Sequence, residues 1–184
     1  MTRLTRLAHD AIRTRLVPGV FVVDATAGNG HDTLFLAEAV GPGGRVLAVD
    51  IQAAAIRATR ARLEAHGCAA QVDLVEGCHS ALAGMLQAGR PIRAAMFNLG
   101  YLPGSDKQSI TGFATTEPAL EACLAGLDQQ GIISVMAYRG HPGGDAEARA
   151  VAELLGALPV DRFSTERHEA PGDGPVLWLT QRRR

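Results

Sequence analysis

Apolar positions recur along the chain with two periods, and their alternation predicts the architecture. Residues 1–16 should contain an amphipathic helix, since their apolar side chains lie at helical spacing: Leu4, Leu7, Ala8, Ala11, Ile12 and Leu16. Five β-rich runs follow, at 20–25, 45–51, 72–76, 94–99 and 131–138. Helical patterns follow the strand runs, at 32–40, 52–66, 79–88, 116–127 and 145–158. This alternation predicts an α/β fold with a parallel sheet and helices on both faces.

The end of the chain breaks the alternation. Two extended runs, 160–169 and 175–180, are separated only by Ala170-Pro171-Gly172-Asp173-Gly174, which is too short for a crossover helix. We therefore predict a seven-stranded, mostly parallel sheet with a C-terminal antiparallel hairpin, in a single domain over residues 1–184. In the helix at 116–127, Thr116 is the predicted N-cap and Pro118 fits the first turn.

Composition narrows the classes of protein. The 184 residues are 47% hydrophobic and 20% charged with a net charge of −1, which excludes wholesale disorder and a general nucleic-acid coat. The charge is unevenly placed, because residues 1–16 hold four arginines and the chain ends in three more. An acidic body with basic ends suggests that RNA is contacted at a few defined points.

Location and metal content are also constrained. The sequence contains no run of about 18 apolar residues, the length needed to span a bilayer, and its N-terminus does not resemble a signal peptide. We therefore expect a cytoplasmic protein with no membrane partner. The three cysteines, Cys68, Cys78 and Cys123, show no Cys-x-x-Cys spacing. Neither a disulfide framework nor a metal site is therefore predicted.

A glycine-containing loop follows the first predicted strand and leads directly into a helix. This is where an open α/β sheet binds a nucleotide-like ligand, although a tight turn without a ligand is the alternative. A dinucleotide would require a third glycine where the chain has Thr33, and Asp24 would repel its pyrophosphate. The ammonium and sulfonium cations of S-adenosylmethionine would instead be attracted by Asp24. The loop residues expected around this cofactor are Asp24, Thr26, Gly28, Asn29, Gly30, Asp32 and Thr33.

The ends of the next two strands extend the predicted cofactor site. Asp50 lies 22 residues after Gly28, where a carboxylate can accept both ribose hydroxyls; its alternative is an N-cap for the next helix. Ile51 and Gln52 are placed to cover the adenine. After the third strand, Cys78 and His79 are candidates for the adenine or ribose side, with a solvated helix cap as the alternative for the histidine.

The fourth strand supplies the candidate chemistry. Asn98 at its tip can accept a hydrogen bond from a target amine, and Tyr101 can stack on a planar ring. The arrangement is similar to the Asn-Pro-Pro-Tyr motif of nitrogen methyltransferases, with Leu99-Gly100 in place of the prolines. Lys107, the only lysine, follows Asp106 in the next loop and is suited to place a compact charge near a phosphate. His141 either lines the substrate pocket or belongs to a glycine-rich turn.

Four motifs together resemble a bacterial family of class I methyltransferases labelled rRNA methylases: residues 24–33, 49–52, 98–107 and 140–144. The resemblance implies a Rossmann-like fold, S-adenosylmethionine as cofactor, and methylation of the aminomethyl nitrogen of 5-aminomethyl-2-thiouridine at wobble position 34 of tRNA. It further implies that the cofactor is surrounded by Asn29, Asp32, Asp50, Gln52, Cys78, His79 and Asn98. The nucleoside would be faced by Tyr101, Asp106, Lys107 and Thr111.

The expected partners are the tRNA anticodon loop and a second copy of the chain in a homodimer. Three other functions stay open from the sequence: methylation of ribosomal RNA, methylation of a small amine, and cofactor binding without catalysis. An NAD-dependent oxidoreductase is disfavoured by Thr33 and Asp24.

Overall fold

A computed structural model describes residues 2–100 and 111–183 as one sheet between two helical layers. The strands are β1 (Phe21–Asp24), β2 (Arg45–Asp50), β3 (Val72–Glu76), β4 (Ile92–Leu99), β5 (Leu127–Ala137), β6 (Phe163–Glu169) and β7 (Val176–Arg182). The helices are α1 (Arg3–Arg13), α2 (His31–Val40), α3 (Ala53–Ala65), α4 (Leu82–Met85), α5 (Phe113–Gly126) and α6 (Gly144–Gly156). Short 3₁₀ turns precede β3 and α4, at Ala69–Gln71 and His79–Ala81.

The sheet confirms the predicted topology. Its order is β3-β2-β1-β4-β5-β7-β6. Strands β1 to β5 are parallel, whereas β7 pairs antiparallel with β5 and β6 pairs antiparallel with β7. The order reverses direction at β1, and this switch point is where open α/β sheets place their ligand crevice.

Side-chain alternation along the strands divides the core into two layers. Val23 of β1 packs with residues of α4, α5 and α6, whereas its neighbour Val22 packs with residues of α1, α2 and α3. Both faces of the central strands are therefore covered, as the long apolar runs require. No helix within the described ranges is long and apolar enough to cross a membrane.

Several element boundaries differ from the prediction, and the helix predicted at 79–88 is limited to Leu82–Met85 after a 3₁₀ turn. Helix α5 begins at Phe113 with Gly112 as its N-cap, so Thr116 is not the cap and Pro118 lies inside the helix. The Thr116 hydroxyl instead donates to Oε1 of Glu147 in α6 over 2.7 Å, a tertiary partner that local sequence cannot reveal. Strand β5 starts at Leu127, directly after α5, and α1 ends at Arg13.

Candidate active site

A cavity of about 860 Å³ lies at the carboxyl ends of the parallel strands. Such a volume accommodates a nucleoside-sized ligand together with part of a second one. Most of the residues predicted for the site line it: Thr26, Gly28, Asn29, Asp32, Asp50, Ile51, Gln52, Cys78, His79, Asn98, Thr111 and His141. Tyr101, Asp106 and Lys107 lie outside the described residues.

Asp24, Gly30 and Thr33, which the sequence also predicts around the cofactor, do not line the cavity. The Asp24 side chain is fully buried below the loop, where Thr33 Oγ1 donates to Oδ2 over 2.6 Å and the Thr26 amide donates to Oδ1 over 3.2 Å. Burial, reinforced by the nearby charge of Asp32, raises the Asp24 pKa from 3.8 to about 7. Asp24 therefore supports the loop from beneath.

The loop depends on its two glycines. Gly28 has φ +53° and Gly30 has φ +78°, a left-handed conformation that glycine adopts without strain. A Cβ on Gly30 would lie 2.8 Å from Cα of Thr59 in α3, so α2 and α3 approach each other too closely for a side chain there. Thr59 Oγ1 also donates to the Gly28 carbonyl over 3.0 Å. The turn is thus held tightly over the cavity.

Asp50 fastens this loop to the end of β2. Its Oδ2 accepts from the Gly28 amide over 2.8 Å, and its Oδ1 accepts from the Gln52 amide over 2.9 Å. The N-cap of α3 is Gln52, so the alternative assignment of Asp50 as the cap is wrong. Each carboxylate oxygen can accept a further bond, which leaves Asp50 able to receive ribose hydroxyls from the cavity.

His79 is buried, not solvated, which excludes its alternative as an exposed cap. Only 7% of it is exposed, its ring meets Phe97 edge-on at 6.3 Å between centroids, and its Nε2 has no hydrogen-bond partner among the described residues. Burial lowers the His79 pKa. A neutral ring facing the cavity can exchange one hydrogen bond with a ligand.

Asn98 is joined to the N-terminal helix through Asp32. Asn98 Nδ2 donates to Asp32 Oδ2 over 2.5 Å, and His9 Nε2 lies 2.6 Å from Asp32 Oδ1. The His9 ring is stacked on Phe35 at 3.9 Å between centroids, with an interplanar angle of 6°. The Asn98 amide N–H also donates to Thr26 Oγ1 over 2.8 Å, so this residue is held by both main chain and side chain.

Thr111 and Gly100 are hydrogen-bonded to each other. The Gly100 amide donates to Thr111 Oγ1 over 2.8 Å, and the Thr111 amide donates to the Gly100 carbonyl over 3.0 Å. Thr111 Oγ1 in turn donates to Oε2 of the buried Glu147 over 2.8 Å. Helix α6 therefore fixes both residues that flank the segment predicted to face the nucleoside.

Sequence reasoning did not identify several residues that line the cavity: Thr5, Ala25, Ala27, His31, Gly77, Gly100, Thr115, Tyr138, Arg139, Gly140 and Asp173. Asp173 belongs to the hairpin turn, which Arg139 holds against the cavity by donating to the carbonyls of Gly172 and Gly174 over 2.6 and 2.9 Å. The predicted C-terminal hairpin was the available signal. The sequence did not show that the hairpin turn faces the cavity, because this follows from the antiparallel pairing of β7 with β5.

The cavity is predominantly acidic. Among its described lining residues are the carboxylates of Asp32, Asp50 and Asp173, against the single guanidinium of Arg139. That guanidinium already pairs with Glu169 over 2.6 Å. Carboxylates in a concave site favour a cationic ligand and oppose a pyrophosphate, so the site suits a sulfonium-bearing nucleoside better than a dinucleotide.

The sheet order β3-β2-β1-β4-β5-β7-β6 with β7 antiparallel, together with the glycine loop after β1 and the acidic residue at the end of β2, is that of the class I methyltransferase fold. The sequence profile described as "Putative rRNA methylase" matches residues 46–173. The chain belongs to this family, and its predicted family resemblance is confirmed.

Two solved structures are similar over nearly their whole length. One is a putative rRNA-methylase from Clostridium thermocellum, with a TM-score of 0.93 and 34% identity over 99% of this chain and 98% of that one. The other is a putative methyltransferase from Streptococcus mutans in complex with S-adenosylhomocysteine (SAH), with a TM-score of 0.88 and 32% identity over 99% of both chains.

A curated relative from Arabidopsis thaliana is named a chloroplastic tRNA (mnm(5)s(2)U34)-methyltransferase. It is 40% identical over 166 residues, which cover 86% of this chain. The chain spans only 61% of the length of that relative.

Proposed function

We propose that the protein is an S-adenosylmethionine-dependent N-methyltransferase that methylates the aminomethyl nitrogen of 5-aminomethyl-2-thiouridine at tRNA wobble position 34. The observation that carries this proposal is Asn98, an amide acceptor at the tip of β4 within an acidic cavity. The name of the plant relative and the SAH complex of the Streptococcus mutans structure support the same substrate and cofactor. A tRNA anticodon loop as partner, a homodimer and a cytoplasmic location stay predictions.

The described residues fit the cofactor. The glycine loop lets main chain approach a ligand closely, Asp50 can accept ribose hydroxyls, and the acidic lining attracts both cationic groups. Ile51, 62% exposed beside the cavity, can cover an adenine ring. S-adenosylmethionine supplies an electrophilic methyl group on a positively charged sulfur.

The residues must manage one proton and one alignment. The target alkylammonium has to lose a proton before its lone pair can attack. A nitrogen–carbon bond then forms as the carbon–sulfur bond breaks, the bonding pair stays on sulfur, and the product is a secondary ammonium. Asn98 Oδ1 can accept an N–H of the amine and direct its lone pair, so most of its contribution should come from positioning.

The experiment that tests this function is incubation of purified protein with labelled cofactor and tRNA carrying the unmethylated aminomethyl uridine. Ribosomal RNA and a small aminomethyl nucleoside serve as parallel substrates. Label in the wobble nucleoside supports the proposal. Label confined to ribosomal RNA or the small amine would assign a different substrate, and cofactor binding without transfer to any of them would indicate a binding module.

Asn98→Ala provides the first mutational prediction. Because Asn98 contacts the reacting nitrogen in this proposal, turnover should fall by about 100-fold, while the Kd for the cofactor, measured by calorimetry, stays within about twofold of wild type. Near wild-type turnover in this variant would refute the assigned role.

A further inference from the structure

The orientation of the Asn98 side chain follows from its neighbour. An ionised carboxylate only accepts hydrogen bonds, so the group of Asn98 that lies 2.5 Å from Asp32 Oδ2 must be its NH₂. The amide oxygen Oδ1 consequently points away from Asp32. Reversing the amide would leave two acceptors facing each other and would present an N–H donor in place of Oδ1.

The orientation of Asp32 is determined in the same way by the N-terminal helix. Its Oδ1 lies 2.6 Å from His9 Nε2, which must therefore carry the proton. His9 is 5% exposed, and its stack on Phe35 fixes the plane of the ring. His9, Asp32 and Asn98 thus form one hydrogen-bonded row from α1 through α2 to the tip of β4.

We propose that His9 and Asp32 are positioning residues that hold the Asn98 amide with Oδ1 toward the incoming amine. The identity of that amine rests on the function proposed above, whereas the row of hydrogen bonds does not. An N–H of Asn98 in this place would bind the amine's lone pair and compete with attack on the methyl group. Both positioning residues lie outside the segment 46–173 that the family profile matches.

Two substitutions at His9 separate hydrogen bonding from packing. His9→Phe keeps an aromatic ring on Phe35 and removes the donor, whereas His9→Gln replaces the ring and keeps an N–H donor. Leu4→Ala, a 7%-exposed apolar position in the same helix, is the control for lost packing. We expect kcat on tRNA to fall about tenfold or more in His9→Phe, with KM and cofactor Kd within about twofold, and to recover largely in His9→Gln. Leu4→Ala should lower Tm and leave kcat unchanged.

A second readout needs no substrate. In ¹H–¹⁵N spectra, the Asn98 side-chain NH₂ pair, identified by its loss in Asn98→Ala, should shift in His9→Phe and stay near its wild-type position in His9→Gln. If the wild-type protein methylates tRNA, an unchanged kcat or an unmoved NH₂ signal in His9→Phe would overturn the inference. If the wild-type protein methylates no amine but the NH₂ signal moves as expected, the proposed function fails and the orientation of Asn98 stands.

Discussion

At the scale of single residues, the buried carboxylate of Asp24 couples stability to pH. Its pKa in the folded protein is about 7, against 3.8 as the ordinary value, because burial disfavours the charged form. Between pH 4 and 7 the folded state therefore holds a proton that the unfolded state has released. The contribution of Asp24 to the free energy of unfolding is complete below pH 4 and is lost as pH rises through 7.

Asp24→Asn should remove this loss. Asparagine carries no charge at any pH, so the free energy of unfolding of the variant should gain on that of wild type from pH 4 to pH 7 and keep a constant difference above pH 8. Urea unfolding at four pH values measures the difference. Asp161→Asn, at an exposed position, should follow the wild-type curve, and a constant difference for Asp24→Asn across the range would contradict the assignment.

The sequence identified the chemistry of individual residues better than their depth. An acid before a glycine loop is visible in the chain, and so are Asp50 and Asn98 at strand ends. The sequence does not show that the Thr33 hydroxyl donates to the Asp24 carboxyl group, which lies buried below the loop. His9 was likewise invisible as a site residue, because its partner Asp32 is 23 positions away.

At the scale of elements, Glu147 ties three segments together. Thr111, just before α5, and Thr116 in α5 both donate to this buried carboxylate of α6, over 2.8 and 2.7 Å. Glu147→Gln places an NH₂ group against one of these hydroxyls. If that hydroxyl is Thr111, which also accepts from the Gly100 amide, its own proton loses its acceptor.

We expect Glu147→Gln to lower the free energy of unfolding by about 1–3 kcal/mol and to raise KM for tRNA more than the cofactor Kd. Chemical denaturation and steady-state kinetics measure the two effects. Glu153→Gln on the exposed side of the same helix is the matched control and should change neither. Equal stability of the two variants would show that the Glu147 hydrogen bonds contribute nothing net.

The same cluster explains which element boundaries were predictable. The sequence patterns predicted all seven described strands, since β1 to β5 are buried parallel strands with apolar runs and β6 and β7 are extended runs on either side of a short turn. The start of α5 was predicted wrongly because threonine is a common N-cap residue, whereas the Thr116 hydroxyl donates to Glu147, 31 positions later. Tertiary hydrogen bonds of this kind leave no periodic signal in the sequence.

At the scale of the whole molecule, α1 runs from the carboxyl ends of the parallel strands, where the cavity lies, towards their amino ends. Thr5 near its start lines the cavity. Arg15, just after its end, hydrogen-bonds Gln181, which pairs with Ile132 of β5. The exposed Arg3 and Arg6 belong to the same first two turns of α1 as Thr5. Arg182 and Arg183 lie away from the cavity, where they donate to the carbonyls of Leu127 and Phe163, the first residues of β5 and β6, over 2.6 and 3.1 Å.

The expectation that the basic ends contact RNA can be tested separately at each end. We expect an Arg3→Glu, Arg6→Glu double variant to weaken tRNA binding. The slope of log Kd against log salt should fall by about 1–2, because fewer counterions are released on binding when phosphate contacts are lost. Arg182→Glu with Arg183→Glu is the matched pair and should change neither quantity. A larger loss of tRNA affinity in the second pair, measured by filter binding, would place the RNA near Arg182 and Arg183, away from the cavity.

The direction of α1 also has a practical consequence for handling the protein. Thr2 lies next to Thr5 of the cavity lining, whose amide donates to Thr2 Oγ1 over 3.2 Å, whereas Arg183 lies against the start of β6 at Phe163. An affinity tag or a surface-attachment handle at the N-terminus would therefore crowd the entrance and distort measured affinities. The C-terminus is the better place for immobilisation.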